Sequence, residues 1–308
     1  VTLLLCLAVE DLVDIINNEL HCKLAPGKEA VVASDAELAS SIRERLGPLA
    51  GKVCNSTPNL GVDYSAGRKR GRGKKGTIRH ERFAKGVARK ARLRSLRQLM
   101  GRRIAKHVCI GGVMPSITYG AEVNGLDDKE WLTLQRIVGA VVAPGNTGWS
   151  LSAALLIQDD PTWRSATAPA GRWQREVWRA ATLDPRAAFC TDELEKAWNV
   201  TMKEQHLWFR ADGSPSWAMT RGPISATILT LARIGWTCEG AFEWTDDLGV
   251  TRNLAEFSPK MFSLVLKASV KRFTERRLAR STGLDELSER SGCLDIVREY
   301  VRMSTKHE

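Results

Sequence analysis

The sequence lacks the cysteine spacing that zinc sites and disulfide frameworks require. Its seven cysteines are odd in number and scattered along 308 residues, and no two of them form a C-x-x-C pair. The five histidines do not lie at ligand spacing from these cysteines either. We therefore expect reduced thiols, as in a nuclear or cytoplasmic protein, and assign no metal ion to the chain.

Long hydrophobic runs are also missing. The apolar run in the opening VTLLLCLAVEDLVDII is too short to span a bilayer. The acids Glu10, Asp11 and Asp14 follow it, whereas a secretory signal needs a positive n-region and a small-residue cleavage site. We expect no membrane partner. Because the chain begins at Val1 within a predicted helix, we also expect it to be a fragment.

Tryptophan is absent from one part of the chain, and acidic residues are scarce in another. All ten tryptophans lie at or after Trp131. Residues 68–106 contain seventeen Lys or Arg and one acid, Glu81, so this segment carries a net charge of +16. The whole chain carries +11, and the residues outside the segment together carry −5. The positive charge therefore belongs to one segment, and two differently built regions are implied.

The most basic stretch, RKRGRGKK at 68–75, directly follows a strand-like stretch with Val62 and Tyr64 at alternate positions. Its glycines give backbone freedom and cannot pack a core, which predicts a mobile loop. A block of like charges repels itself and needs a polyanion, for which we favour nucleic acid. A solubilising or nuclear-targeting tract is the alternative. We prefer nucleic acid because the charge continues to Lys106, into a predicted helix.

The first 66 residues predict an α-β-α-β order. Apolar positions at helical spacing predict an amphipathic helix over 3–20, and a Pro-Gly turn precedes a short strand at Val31 and Val32. A second helix is expected over 35–46, and NLGVDY at 59–64 predicts another strand. Two short strands and two helices are a small unit by themselves.

Beyond the loop, the predicted elements are mainly helices. Leu93, Leu96, Met100 and Ile104 recur at helical spacing, which predicts a helix with one buried stripe, although Gly101 weakens it. Arginines surround this stripe, so one side of the helix would pack on a core and the rest would face phosphates. Further helices are expected over much of 150–231, after Ser258 and near the end of the chain.

The best-signalled helix spans 126–142. Asp127 and Glu130 have the spacing of a capping box, Leu126 and Trp131 that of a hydrophobic staple, and a Pro-Gly pair ends the pattern. The later tryptophans also lie at helical spacing between apolar residues. We interpret them as core residues, in preference to a base-stacking platform. They are Trp163, Trp173, Trp178, Trp198 and Trp208.

A hairpin is predicted near 242–254, with Asp246 to Gly249 in its turn. Asp246 and Asp247 also suggest a metal site. We favour turn chemistry because a turn needs Asp and Gly for backbone reasons, and no third acid is close in sequence. The predicted fold class is therefore α+β, with a small α/β segment followed by a mainly helical region that contains one short β-hairpin.

The order of these motifs resembles part of the reverse transcriptases of non-LTR (LINE-type) retrotransposons. HCKLAPGKEAVVAS resembles a lysine-containing strand of the type GLKLNPKKT, and NLGVDY a short LGV strand that follows it. GGVMPSITYGAEV at 111–123, followed by a helix with LQR, resembles the pattern P.L.YG.E.W....L..LQR after the thumb. The resemblance covers roughly 3–140 and implies the end of the palm, the thumb and the region downstream.

This resemblance implies an RNA-directed DNA polymerase as the parent enzyme, with Mg²⁺ held by palm aspartates in the full-length family. The family's Y/F-x-D-D turn would lie upstream of Val1, so no catalytic residue and no cofactor are assigned to this chain. Its predicted partners are template–primer RNA and DNA and the missing upstream palm and fingers. An intact polymerase whose upstream part is missing from this sequence is one alternative. A degenerate retroelement remnant and a basic nucleic-acid-binding module without a polymerase role are the others.

The resulting prediction divides the chain into a palm end (1–66), a basic loop with a thumb-like helical region (67–148) and a Trp-rich helical extension (149–308). The chain is expected to bind the nucleic-acid backbone with low sequence specificity. The predicted contacts are Lys28, Arg68, Lys69, Arg70, Arg72, Lys74, Lys75, Arg89, Lys90, Arg92, Arg94 and Arg97.

Overall fold

In the computed structural model, the chain forms two compact units, 1–81 and 82–308. Most of the described residues are helical and the strands are short, which confirms the predicted α+β class. The region boundaries predicted after 66 and 148 stay predictions. The structure describes residues 2–21, 30–33, 36–54, 56–59, 62–65, 77–143, 150–220 and 222–282.

The first unit combines two helices with two short strand pairs. Strands β1 (Ala30–Val31) and β2 (Lys52–Val53) are parallel, and β3 (Ser56–Asn59) and β4 (Val62–Ser65) are antiparallel. Both predicted helices are present, and the strand predicted at Val31 and Val32 lies at Ala30–Val31. The single strand predicted over 59–64 is wrong, because Asn59 ends β3 and pairs with Val62 of β4; the sequence does not predict β2 or β3. A π-helical turn over Ile15–Glu19 follows the first helix. The elements are α1 (Thr2–Asp14), β1 (Ala30–Val31), α2 (Ala36–Leu46), β2 (Lys52–Val53), β3 (Ser56–Asn59) and β4 (Val62–Ser65).

The described core of the first unit is small. Cys6, Ile42 and Leu46 pack together with Ala50, and a few partly buried residues surround them. Leu12, which the sequence places on the apolar face of the first helix, is 55% exposed. A core of this size buries little apolar surface, so we expect the unit to open readily.

The second unit contains the remaining elements, except that the first residues of α3, 78–81, belong to the first unit. It includes a three-stranded antiparallel sheet in the order β5 (Thr237–Cys238), β6 (Glu243–Thr245) and β7 (Thr251–Asn253). Strands β6 and β7 form the predicted hairpin. The elements are α3 (Ile78–Val108), α4 (Met114–Thr118), α5 (Ala121–Asn124), α6 (Asp128–Val142), α7 (Leu151–Ile157), α8 (Trp163–Ala166), α9 (Ala168–Ala181), α10 (Thr191–Met202), α11 (Gly222–Arg233), β5 (Thr237–Cys238), β6 (Glu243–Thr245), β7 (Thr251–Asn253) and α12 (Pro259–Thr282).

Aromatic side chains form much of the core of this unit. Trp198 lies between Trp173 and Trp244, with ring centroids 5.2 and 6.1 Å apart, and Phe262 packs on Trp244 at 5.9 Å. Trp208 is also fully buried. The interpretation of these tryptophans as core residues is confirmed for the buried ones. Trp163 and Trp178 are partly buried.

A buried arginine joins several helices, and no sequence pattern indicates it. The Arg233 guanidinium lies between the rings of Trp131 and Trp217, 4.9 and 4.8 Å from their centroids. It donates hydrogen bonds to the carbonyl oxygens of Leu126 and Ala166 at 2.9 and 3.0 Å. These partners come from four different segments, so this cation fixes how the helices meet.

Helix α6 begins as the sequence predicts. The Glu130 amide donates to the Asp127 carboxylate at 2.8 Å, and the Asp127 amide donates to the Glu130 carboxylate at 2.9 Å. This reciprocal pair is the predicted capping box. Leu126 and Trp131, the predicted staple, are 1% and 2% exposed and belong to one buried cluster.

The predicted continuous stripe on α3 is wrong beyond Leu96. Leu93 is buried, but Met100 and Ile104 are 55% and 44% exposed. Met100 is the last residue before Gly101, whose φ of 82° and ψ of 164° interrupt the helix, and Ile104 lies beyond this interruption. Helical spacing does not continue across such a break. The second segment therefore turns different residues, such as Ala105, toward the core.

Candidate nucleic-acid interface

Five of the predicted contact residues lie on α3, before the break at Gly101. Arg89, Arg92 and Arg94 are exposed, while Lys90 and Arg97 are partly buried. The other predicted contacts lie outside the described residues. They are Lys28, Arg68, Lys69, Arg70, Arg72, Lys74 and Lys75.

One side of α3 is fixed against the core of the second unit. Leu93 is buried there, and Phe83 and Leu96 pack against the same cluster. Gly86 permits the close approach, because a Cβ atom at this position would overlap the side chain of Ile117. This buried line of residues determines which positions of α3 face outward.

The five cations lie in two rows along the two edges of the buried line. With 3.6 residues per turn, Arg89 and Arg92 fall on one edge, and Lys90, Arg94 and Arg97 fall on the other. The arginines that the sequence predicts around the apolar stripe therefore form part of two rows. Each row can approach a negatively charged chain from its own side of the helix.

Between the two rows, the outermost face of α3 carries small side chains. Ala84, Ala88, Ala91 and Ser95 follow one another at spacings of four, three and four residues, and all four are exposed. The Ser95 hydroxyl donates to the Ala91 carbonyl at 3.4 Å. Small residues at helical spacing were visible in the sequence. Their position opposite the core became clear only when Gly86 and Leu93 were placed.

Several basic residues of the segment, including Arg89 of the rows, attach α3 to its neighbours. The Arg82 guanidinium lies 4.8 Å from the centroid of the Tyr119 ring, and Arg89 Nη1 donates to Ser116 Oγ at 3.1 Å. Lys106 Nζ donates to the Gln158 carbonyl at 3.1 Å. Some of the charge counted in the sequence therefore has a packing role.

The five cations of the two rows have no carboxylate partner in the part of the chain that the structure describes. Arg89 has a neutral hydroxyl as its partner, and no ion pair involves Lys90, Arg92, Arg94 or Arg97. Elsewhere in the unit, arginines are paired with acids, as Arg252 is with Asp246 at 2.6 Å. The rows thus carry positive charge that the described residues leave uncompensated.

The aspartate pair in the hairpin has structural roles. The Asp246 carboxylate accepts hydrogen bonds from the amides of Leu248 and Val250 at 2.9 and 3.0 Å, which confirms the turn interpretation. Asp247 accepts from Arg272 Nη2 and Ser269 Oγ, each at 2.6 Å.

Their surroundings keep both hairpin aspartates ionised. Burial alone would raise the pKa of Asp247, but the hydrogen bonds from Arg272 and Ser269 and the charges of Arg272 and Arg276 outweigh it, and the pKa falls to about 2. Both carboxylates are thus engaged by protein donors. Among the described residues, no group of three or more His, Cys, Asp or Glu side chains could hold a metal ion.

Comparisons with protein-family models, with curated proteins and with solved structures find no match to this chain. None of the helices that the structure describes is both long and apolar enough to cross a membrane.

Proposed function

We propose that the chain binds nucleic acid through its phosphate backbone, with the rows on α3 and the basic stretch at 68–75 as contacts. The resemblance to non-LTR retrotransposon reverse transcriptases supports template–primer RNA and DNA as the nucleic acid. In this proposal the chain contributes binding to such an enzyme, and the metal-binding carboxylates of catalysis are not among its residues.

The observation that carries the proposal is the uncompensated charge of the two rows. Five cations lie within nine positions, 89–97, and none of them is ion-paired among the described residues. Nucleic acid supplies the matching charge, about one phosphate per 1.7 Å of duplex axis. The small side chains between the rows permit a backbone to approach α3 closely.

The same face also supports low sequence specificity. Sequence is read by hydrogen bonds and apolar contacts to base edges, whereas phosphate contacts position a protein without reading bases. Ala84, Ala88 and Ala91 have no polar side-chain atoms, and the Ser95 hydroxyl already donates to the chain. Most described tryptophans are buried and thus unable to stack on bases.

The test measures binding to an RNA–DNA duplex by fluorescence anisotropy over a range of salt concentrations. In one variant, Arg89, Arg92 and Arg94 are replaced by Gln. The log K against log salt slope should fall by about 0.9 for each lost phosphate contact, so by roughly two to three units. The loss of affinity should be similar for unrelated duplex sequences.

The matched control removes three exposed cations from other helices and loops of the second unit. It carries Lys203→Gln, Lys260→Gln and Arg280→Gln, so its net charge equals that of the α3 variant. We expect its slope to change by less than about one unit, because general charge steers association without fixed contacts. Equal changes in both variants would contradict a site on α3.

A second variant separates nucleic-acid binding from a targeting tract. With the basic stretch neutralised, the slope should fall by roughly two to four units, since a glycine-rich loop does not place every cation on a phosphate at once. Unchanged affinity and slope, together with altered localisation, would assign this stretch to targeting. The substitutions are Arg68→Gln, Lys69→Gln, Arg70→Gln, Arg72→Gln, Lys74→Gln and Lys75→Gln.

A further inference from the structure

The second unit contains a cavity of about 410 Å³ between α9, α10 and the three-stranded sheet. Val177 of α9 and Ala241, in the turn between β5 and β6, are buried at its apolar part, and Phe242 lies beside them. Ligand pockets usually have volumes of roughly 300–1,000 Å³ and predominantly apolar walls with a few polar groups. The cavity therefore has the size and the lining of a binding site.

Among the described residues, all the charged ones that line the cavity are acidic. Glu195 comes from α10, Glu239 from the turn after β5, and Glu243 from the start of β6, and all three are exposed. The Glu239 carboxylate accepts a hydrogen bond from Thr245 Oγ1 at 3.0 Å. No ion pair involves any of the three within the part of the chain that is described. Negative charge thus collects at one opening of a chain whose net charge is +11.

The segment that joins two lining residues of the cavity carries exposed apolar side chains. The segment 182–190 joins two residues that line the cavity, Ala181 and Thr191. Within it, Leu183 is 87% exposed and Phe189 is 52% exposed. Leu183 also has a φ of 51°, a conformation that a bulky residue rarely adopts. Large apolar residues grouped beside a cavity and rimmed by charge are typical of protein-binding surfaces.

We propose that this cavity binds a peptide segment of a partner protein in which Lys or Arg residues flank an aliphatic or aromatic anchor. The anchor would enter the apolar part of the cavity, and the basic side chains would pair with Glu195, Glu239 and Glu243. Leu183 and Phe189 provide apolar contact for the rest of the segment. The carboxylates repel phosphate groups, so this site differs from the nucleic-acid interface on α3 and does not depend on it.

The test uses a fluorescein-labelled peptide, KRLFRK, and measures its binding to the full chain by fluorescence anisotropy without nucleic acid. We expect saturable binding that weakens as salt is raised. EELFEE has glutamates in place of the basic residues, and KRSGRK lacks the apolar anchor, so each should bind at least about tenfold more weakly than KRLFRK. Equal binding of KRLFRK and KRSGRK would overturn the proposal, because non-specific charge attraction needs no anchor. If spermidine, a polycation without an apolar anchor, bound as tightly as KRLFRK, the proposal would also be overturned.

Variants of the chain locate the site. Replacing Glu195, Glu239 and Glu243 by Gln should weaken KRLFRK binding about tenfold, since three partly exposed ion pairs are lost. Ala181→Trp should also weaken it, because a large side chain at this exposed lining position obstructs the opening. Unchanged binding in both variants would contradict the proposal.

A control variant with the same change in net charge carries the replacements in the first unit, at exposed glutamates that do not line the cavity. Its affinity for KRLFRK should stay within about twofold of the parent chain. A loss equal to that of the cavity variant would show attraction to total charge and would overturn the proposal. Tryptophan fluorescence and urea unfolding check that every variant is folded. The control substitutions are Glu19→Gln, Glu37→Gln and Glu44→Gln.

Discussion

Substitution of Gly101 by alanine tests the interruption of α3 directly. At a φ of 82° and a ψ of 164°, this residue occupies a region that glycine alone adopts readily. An alanine there either holds an unfavourable backbone conformation or forces α3 into another path. Gly171 is a suitable comparison, because it lies within α9, has no positive φ, and has open space where a Cβ atom would be.

The two substitutions should change stability in opposite directions. A Cβ atom at Gly101 would meet nothing within 4 Å, so the backbone conformation alone sets the cost, about 1–3 kcal/mol. Alanine at Gly171 should stabilise the unit by up to about 1 kcal/mol, because alanine has the higher helix propensity. The free energies of unfolding of the two variants should therefore differ by roughly 1–4 kcal/mol.

Urea unfolding followed by tryptophan fluorescence measures this difference. All ten tryptophans lie at or after Trp131, so the signal reports on the second unit. A loss of about 2 kcal/mol lowers the midpoint by roughly 1 M if the m-value is about 2 kcal/mol/M. If Gly101→Ala raises the midpoint as Gly171→Ala does, α3 continues through residue 101, and the stripe that includes Met100 and Ile104 is restored.

Three further predictions concern the hairpin, a helix cap and the first unit. The pKa of Asp247 is lowered from 3.8 to about 2, so its ionised form should contribute about 2 kcal/mol to the free energy of unfolding above pH 4. This contribution should be lost as the pH falls toward 2. Asp247→Asn should therefore flatten this part of the curve of stability against pH. Asp127→Ala, which removes the acceptor of the α6 capping box, should cost about 0.5–2 kcal/mol by urea unfolding, and an unchanged midpoint would contradict its role. Hydrogen exchange should be fast in the described residues of 2–65 and slow in 128–142, and equal protection would contradict the expectation that the small described core of the first unit opens readily.

Local signals in the sequence predicted the elements whose geometry depends on nearby residues. The α6 cap depends on Asp127 and Glu130, three residues apart, and the β6–β7 turn depends on Asp246 and residues that directly follow it. In both cases the backbone groups to be satisfied lie within a few positions. All the residues of each interaction can therefore be recognised within one short stretch of the sequence.

Contacts between distant segments could not be predicted in this way. The partners of Arg233 include Leu126 and Ala166, which are 107 and 67 positions away. The glutamates of the cavity likewise come from different elements, α10 and the sheet. No spacing rule links such residues. Their proximity follows from the packing of distant segments on a common core, and no local pattern in the sequence reveals this packing.

The break at Gly101 also limits how the charge of the basic segment can act. The residues before it, 78–100, form one regular helix, and a rigid helix presents its cations to one ligand together. Arg102 and Arg103 follow the break, so they do not continue the rows of Arg89 or Arg94. The seventeen cations of residues 68–106 therefore cannot all contact one stretch of nucleic-acid backbone. We therefore expect the slope of log K against log salt to correspond to fewer than seventeen phosphate contacts.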